Sequence, residues 1–229
     1  FKVRYKAEIV FEDERLVDHA LRIIHETGGF AKIFAVIPEG LQIGLTERTE
    51  LIRARATLME NFSAVLEETQ AADLVYLVGC DVPRLTAEML SFIRQAVRDD
   101  PDKDVYYPIV ERRTIEAKYP RARRTYVTLK EGTFTGGNVI VVRPRRILLA
   151  KEKIQEAVAL RKQPLALAAK MGARFLWKVL TGRLSLAEAS EKVTALAGIR
   201  GKVIICPYPE IAMDIDEPRD YDDLTRGLG

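Results

Sequence analysis

Cysteine and histidine are scarce in this sequence: 229 residues hold two of each. Two thiols cannot staple a loop-rich secreted domain. Cys80 and Cys206 each sit beside a strand-like apolar run, which points to buried free thiols in a reducing cytosol. His19 and His25 share one helix and show no metal-ligand spacing with the cysteines, so a structural zinc site is not expected. An excess of one charge is missing too. The 36 basic and 33 acidic residues leave a net charge of +3, too balanced to argue by itself for a nucleic-acid surface. No stretch approaches the roughly 20 apolar residues of a membrane helix. The opening Phe1-Lys-Val-Arg-Tyr-Lys6 lacks the apolar core of a signal peptide. A cytoplasmic protein without nucleic-acid or membrane partners is therefore expected. The composition, 48% hydrophobic and 30% charged, is ordinary for a globular chain, and the length fits one domain over residues 1–229.

Apolar periodicity gives the organisation. Ala7 to Phe11 reads as a short strand or an extended entry segment. Leu16, Ala20, Leu21, Ile23 and Ile24 mark an amphipathic helix closed by Gly28-Gly29. Ile33 to Ile37 is a near-continuous apolar run, as in a strand covered on both faces. Leu41 to Arg55 is charged and irregular, a loop or a short helix. A helix opens near Leu58, and Leu74 to Val78 reads as a buried strand. Thr86 is a candidate N-cap for the next helix, which Asp99-Asp100-Pro101 ends. Val105 to Val110 is a strand placed at an edge or a bend by Pro108. The alternation predicts right-handed crossovers and a mostly parallel sheet. Residues 112–138 then read as a small antiparallel insertion, basic at first and turning at Glu131-Gly132. Residues 145–200 read as helical, with a capping box at Ser185 to Glu188 and a stop at Gly198. Val203 to Cys206 is a late strand.

Three polar stations lie at strand ends: Asp81, the turn Gly136-Gly137-Asn138, and Asp214 with Asp216. In open α/β sheets ligands bind outside the carboxyl ends of strands. A carboxylate there suits Mg²⁺, which takes one or two protein carboxylates and completes its shell with phosphate oxygens and water. A double glycine lets backbone approach a ligand and offer amide donors. Asn138 adds a side-chain amide. Each signal has a plainer reading beside it. Asp81 can simply cap the turn after its strand, Gly136-Gly137 can be a hairpin turn, and the late aspartates can be solvated charges before a terminal helix.

Together the motifs Val78-Gly-Cys-Asp81-Val-Pro-Arg-Leu-Thr86, Gly132-Thr-Phe-Thr-Gly-Gly-Asn138 and Met213-Asp-Ile-Asp216-Glu-Pro-Arg-Asp220-Tyr resemble the MobA-like NTP transferases of the nucleotide-diphospho-sugar transferase superfamily. Lys6-Ala-Glu-Ile-Val and Arg15-Leu-Val-Asp-His-Ala-Leu21 match the segment after that family's signature loop. The resemblance runs from about Lys6 to Leu224. It implies a Rossmann-like three-layer α/β/α fold and transfer of a nucleoside monophosphate from an NTP to a phosphorylated small-molecule acceptor, with pyrophosphate released and Mg²⁺ as cofactor. Asp81 then matches the first metal carboxylate and Asp216, with Asp214, the second. Lys6 faces the triphosphate; Lys6, Asn61 and Gly79 form the nucleotide side; Gly136, Gly137 and Asn138 form the acceptor turn. Arg161 and Lys162, two cations at a helix end, are a further candidate for an acceptor phosphate. The family's glycine-rich phosphate loop and first strand are expected ahead of Lys6, in a chain longer than one that starts at Phe1. The segments 112–138 and 145–200 exceed the smallest family members and are expected to serve a particular acceptor or a homodimer contact. The alternatives are a nucleotide-sugar-binding, glycosyltransferase-like or regulatory protein of the same fold, and a purely partner-binding domain.

Overall fold

A computed structural model describes residues 3–44, 49–154 and 172–226. The strands are β1 (Val10–Phe11), β2 (Glu14–Arg15), β3 (Ile33–Ile37), β4 (Thr49–Arg53), β5 (Val75–Val78), β6 (Val105–Glu111), β7 (Val127–Leu129), β8 (Gly132–Gly136), β9 (Val139–Val142) and β10 (Gly201–Ile205). The helices are α1 (Leu16–Thr27), α2 (Leu58–Glu68), α3 (Ala87–Asp99), α4 (Arg112–Lys118), α5 (Pro144–Leu149), α6 (Ala173–Leu180), α7 (Leu186–Ala197) and α8 (Pro218–Arg226). Among the described residues no helix is long and apolar enough to cross a membrane.

Local chemistry sets the helix ends. Thr86 Oγ1 accepts from Met89 N–H at 3.4 Å, and Ser185 and Glu188 form a reciprocal capping box. Gly28 (φ +62°) and Gly198 (φ +70°) end α1 and α7 in backbone conformations that side-chain-bearing residues avoid.

The main sheet has the order β5-β9-β6-β8-β7, with β10 on the other edge of β6. Only the β6–β10 pairing in it is parallel; β5–β9, β6–β9, β6–β8 and β7–β8 are antiparallel. The mostly parallel sheet expected from the strand–helix alternation is thus not what forms. The crossover through α3 does send β5 and β6 the same way, but the hairpin return inserts β9 between them, antiparallel to both. Parallel pairing also joins β3 to β4, in a separate two-stranded sheet. β4 falls within the stretch read as loop or short helix. Its Thr-Glu-Leu-Ile-Arg sequence is half-buried to exposed, so no apolar alternation marks it, and the ion pairs Lys32–Glu50 (2.6 Å) and Arg53–Glu39 flank it.

Pro108 sits inside the sheet, not at an edge, because β6 is paired on both sides. It is tolerated because the partner strand breaks at Gly137-Asn138, opposite the missing amide; there Gly137 N–H donates to Pro108 O at 2.9 Å. Of the edge and bend readings, the edge is excluded, and β6 runs through Pro108 in unbroken register with β10.

β9 alternates between two cores. Val139 and Val141 pack with Leu16 and Ile23 of α1 and Leu90 and Ile93 of α3. Val142 and Ile140 pack with Leu66 of α2 and Ile147 of α5. α1 also turns Val17 and Leu21 onto Ile33, Ala35 and Ile37 of β3, so this helix couples the small sheet to the main one. Each such buried aliphatic side chain contributes about 1.5–3 kcal/mol.

One buried carboxylate ties the strand starts together. Asp104, 1% exposed, accepts from Arg200 N–H at 2.9 Å and contacts Arg146 Nε at 3.3 Å and Arg200 Nε at 3.6 Å. Its backbone oxygen accepts from Arg143 N–H at 2.9 Å. The entries to β6 and β10 and the exit of β9 therefore meet at one residue. Asp104→Ala leaves the Arg200 amide without its acceptor and is expected to lower stability by about 1–3 kcal/mol in urea denaturation. A loss below about 0.5 kcal/mol, ordinary for a surface substitution, would show that the cluster carries no structural load.

Candidate active site

The chain leaves β5 at Val78, and the next three residues are fixed by packing. Val82 and Leu85 are fully buried behind them. A Cβ on Gly79 would lie 2.8 Å from Asp81 Oδ1 and 3.5 Å from Asn138 Cβ. Only glycine allows the Asp81 carboxylate to fold back over the strand end. Gly79 N–H donates to Asn138 O at 2.9 Å, Asn138 N–H to Ile211 O at 2.8 Å, and Ile215 N–H to Asp81 O at 3.0 Å. Three segments far apart in sequence are thus laced by backbone.

The late acidic segment alternates. Met213 and Ile215 are buried in the main core, which turns Asp214 and Asp216 the other way, half-buried and exposed respectively. Asp220 Oδ2 accepts from Asp216 N–H at 2.9 Å and Glu217 N–H at 2.6 Å, closing the turn into α8. Asp220 therefore serves the backbone.

The lacing brings three carboxylates to one place. Asp81, Asp214 and Asp216 each offer an oxygen, and these oxygens all lie within 4.8 Å of one another. Two cations answer them. Lys6 Nζ, on the 3-10 turn Lys6–Glu8, bonds Asp216 Oδ1 and stands 4.0 Å from Asp81 Oδ2. Arg124, before β7, pairs with Asp214. Burial and then the Asp214 charge push the Asp81 carboxyl above its ordinary pKa. Burial works against the charge on Lys6, but the hydrogen bond and charge of Asp216, with Asp81 and Asp214, outweigh it and raise the Lys6 pKa. Burial, then Asp81, push the neighbouring Cys80 thiol up to about 11; a protonated thiol is a poor nucleophile. An all-carboxylate donor set fits a hard cation such as Mg²⁺ and not zinc.

Of the other predicted residues, Asn138 lies against Gly79 at the Asp81 strand end, and the glycines before it are set by packing. Gly136 ends β8, and a Cβ there would collide with the Tyr107 hydroxyl; at Gly137 it would lie 3.3 Å from Ile211 Cγ2 and Pro108 O. Close packing alone thus calls for both glycines. The Gly137 and Asn138 amides donate inward, to Pro108 O and Ile211 O. The Asn138 side chain reaches Ile211 O at 3.4 Å. Asn61 lies on α2, where its Oδ1 accepts from Arg55 N–H at 2.6 Å. Arg161 and Lys162 lie outside the described residues. Arg124 was not singled out from the sequence; the signal available was the run of cations from Arg112 to Arg124, which exceeds what its own acids can pair.

Asp81 lies just past the end of β5, whereas Asp214 and Asp216, expected at a strand end, follow the 3-10 turn Pro209–Ala212; the two segments and Lys6 meet at one edge of a mixed α/β fold. Solved structures show the same architecture. A hypothetical transferase from Thermus thermophilus is 33% identical with a TM-score of 0.82, over 96% of this chain and 92% of that one. A 2-C-methyl-D-erythritol 4-phosphate cytidylyltransferase, also from Thermus thermophilus, is 12% identical with a TM-score of 0.58, over 98% of this chain and 94% of that one. A CMP:2-keto-3-deoxy-manno-octonic acid synthetase complexed with CTP is 13% identical with a TM-score of 0.55, over 96% and 89%. Residues 2–190 match the MobA-like NTP transferase domain, and the chain belongs to that family. The match takes in Lys6, Asp81 and the glycine turn; Asp214 and Asp216 lie beyond it. No curated protein matches the sequence.

The raised Asp81 pKa has a direct consequence for stability. Above the ordinary aspartate value of 3.8, the unfolded chain releases this proton before the folded chain does. Asp81's contribution to stability therefore falls as pH rises through the window between the two values. In chelator at neutral pH, Asp81→Asn, which removes one of three crowded charges, is expected to melt above the wild type. A lower melting temperature would mean that Lys6 more than offsets the repulsion.

Proposed function

We propose that this chain is a Mg²⁺-dependent nucleotidyltransferase that moves a nucleoside monophosphate from an NTP to a phosphorylated small-molecule acceptor and releases pyrophosphate. The observation that carries the reading is the convergence of Asp81, Asp214 and Asp216 with Lys6 beyond the end of β5. The reaction needs little covalent help from protein. An acceptor phosphate oxygen attacks the α-phosphorus, a new P–O bond forms, the α–β P–O bond breaks, and the electron pair leaves on pyrophosphate. A phosphomonoester is already largely ionised at neutral pH, so no general base is required of the protein. What the reaction needs is positioning and positive charge around the phosphates.

Asp81 and Asp216, with Asp214, would hold Mg²⁺, which supplies charge neutralisation on the phosphate oxygens. Lys6 supplies a compact cation for the triphosphate. In this reading Gly79 and Asn61 lie on the nucleotide side. Asn138, with Gly136 and Gly137, faces the acceptor through its side chain; Arg161 and Lys162 remain candidates for the acceptor. The single domain in three layers, the cytoplasmic setting and a homodimer contact belong to the same proposal.

The test follows pyrophosphate release against four NTPs, each with a panel of phosphorylated acceptors. Asp81→Ala is expected to lower turnover by about 100-fold or more, the usual scale for losing a positioned electrostatic group. Undiminished turnover would remove Asp81 from the metal site. Binding of the correct NTP with Mg²⁺, at about 100 times its Kd, is expected to stabilise the wild type by ~2.7 kcal/mol. No thermal shift with any NTP would point to a partner-binding domain.

A further inference from the structure

Residues 112–124 carry six cations and only one acid, Glu116. Four of the six have carboxylate partners. Arg112 pairs with Glu116 at 2.6 Å, Arg113 with Glu111 at 2.7 Å, Lys118 with the buried Glu210, and Arg124 with Asp214. Arg121 and Arg123 have no ion pair or hydrogen bond with any described residue. These two, with Arg219 and Asp223, line one cavity of about 450 Å³. Arg219 keeps one ion pair, to Glu217 at 2.9 Å. The cavity thus gathers three guanidinium groups against a single lining carboxylate. Like charges crowded in this way are stabilised by an anion that brings the missing charge.

Arg124, next to Arg123, pairs with Asp214, and Arg219 is the second residue of α8, three positions after Asp216. The Lys118 and Tyr119 contacts to Glu210 fix the start of the arginine-bearing segment against the turn that leads to Asp214. The arginine-bearing segments are therefore continuous in the chain with residues that hold the carboxylate group. Guanidinium forks bind phosphate in a planar, bidentate manner, and several converging forks suit a dianion better than a single carboxylate. The volume is within the range of small-molecule sites.

We propose that Arg121, Arg123 and Arg219 form the subsite that seats the phosphate of the acceptor, which makes this arginine cavity the determinant of a phosphomonoester acceptor. The assignment rests on the nucleotidyltransferase reading for the word acceptor, but the phosphate site itself stands apart from it. The test is isothermal titration of the protein with inorganic phosphate at low ionic strength, with chelator and no nucleotide. Wild type is expected to bind saturably, and Arg121→Gln/Arg123→Gln to bind at least about tenfold more weakly, ~1.4 kcal/mol, with an unchanged melting temperature. Arg98→Gln, which removes an exposed charge on α3, is expected to bind like wild type. Glycerol 3-phosphate is expected to compete. Equal binding by the double variant, or no saturable binding by wild type up to about 10 mM, overturns the site. Phosphate binding without competition by glycerol 3-phosphate overturns the acceptor assignment and leaves a free-phosphate site. Since no divalent ion or nucleotide is present, this result and the pyrophosphate-release result can fail independently.

Discussion

Three carboxylates held within 4.8 Å of one another repel, and the fold keeps them together anyway. The restraint is main-chain hydrogen bonding, which does not yield to a side-chain rotation. Ile215 N–H to Asp81 O fixes the late acidic segment against the end of β5, and the Gly79–Asn138–Ile211 chain of bonds fixes both against the break between β8 and β9. The buried Met213 and Ile215 then leave Asp214 and Asp216 only one direction to face. Lys6 and Arg124 offset part of the repulsion, and burial, then the Asp214 charge, still raise the Asp81 pKa.

The sheet is arranged around the same point. Pro108 in the middle of β6 would leave a gap in an unbroken ladder. The fold places the Gly137-Asn138 break opposite it, and the break is what frees Asn138 to bond Gly79 and Ile211. A residue that reads as a defect in one strand is matched by an interruption in its neighbour.

Much of this was legible in the sequence, and the exceptions have physical causes. Thr86, Ser185, Gly28 and Gly198 announced helix ends because capping and left-handed backbone depend on the residue itself. Asp81, Asp214 and Asp216 could be grouped because each follows or precedes an apolar run that marks a strand or a buried turn. The neighbours of β5 could not be read, since strand order in a sheet is set by which hairpin inserts where. β4 escaped because an edge strand with half-exposed side chains has no periodicity to show. Gly79, Gly136 and Gly137 looked like ligand-facing glycines; their close contacts to Asp81, Tyr107 and Pro108 are properties of the packed chain. The arginines of residues 112–124 read from the sequence only as a basic stretch, and the pairing of their neighbours singles out two.

Lys6 and Asp216 lie 210 positions apart and touch. Closing so long a loop is slow relative to forming hairpins and helices. On the ribosome, the nascent chain therefore exposes Asp81 long before its acidic partners are synthesised. The acidic rim is the last part of the fold to assemble, because Asp214 and Asp216 leave the ribosome near the end of synthesis.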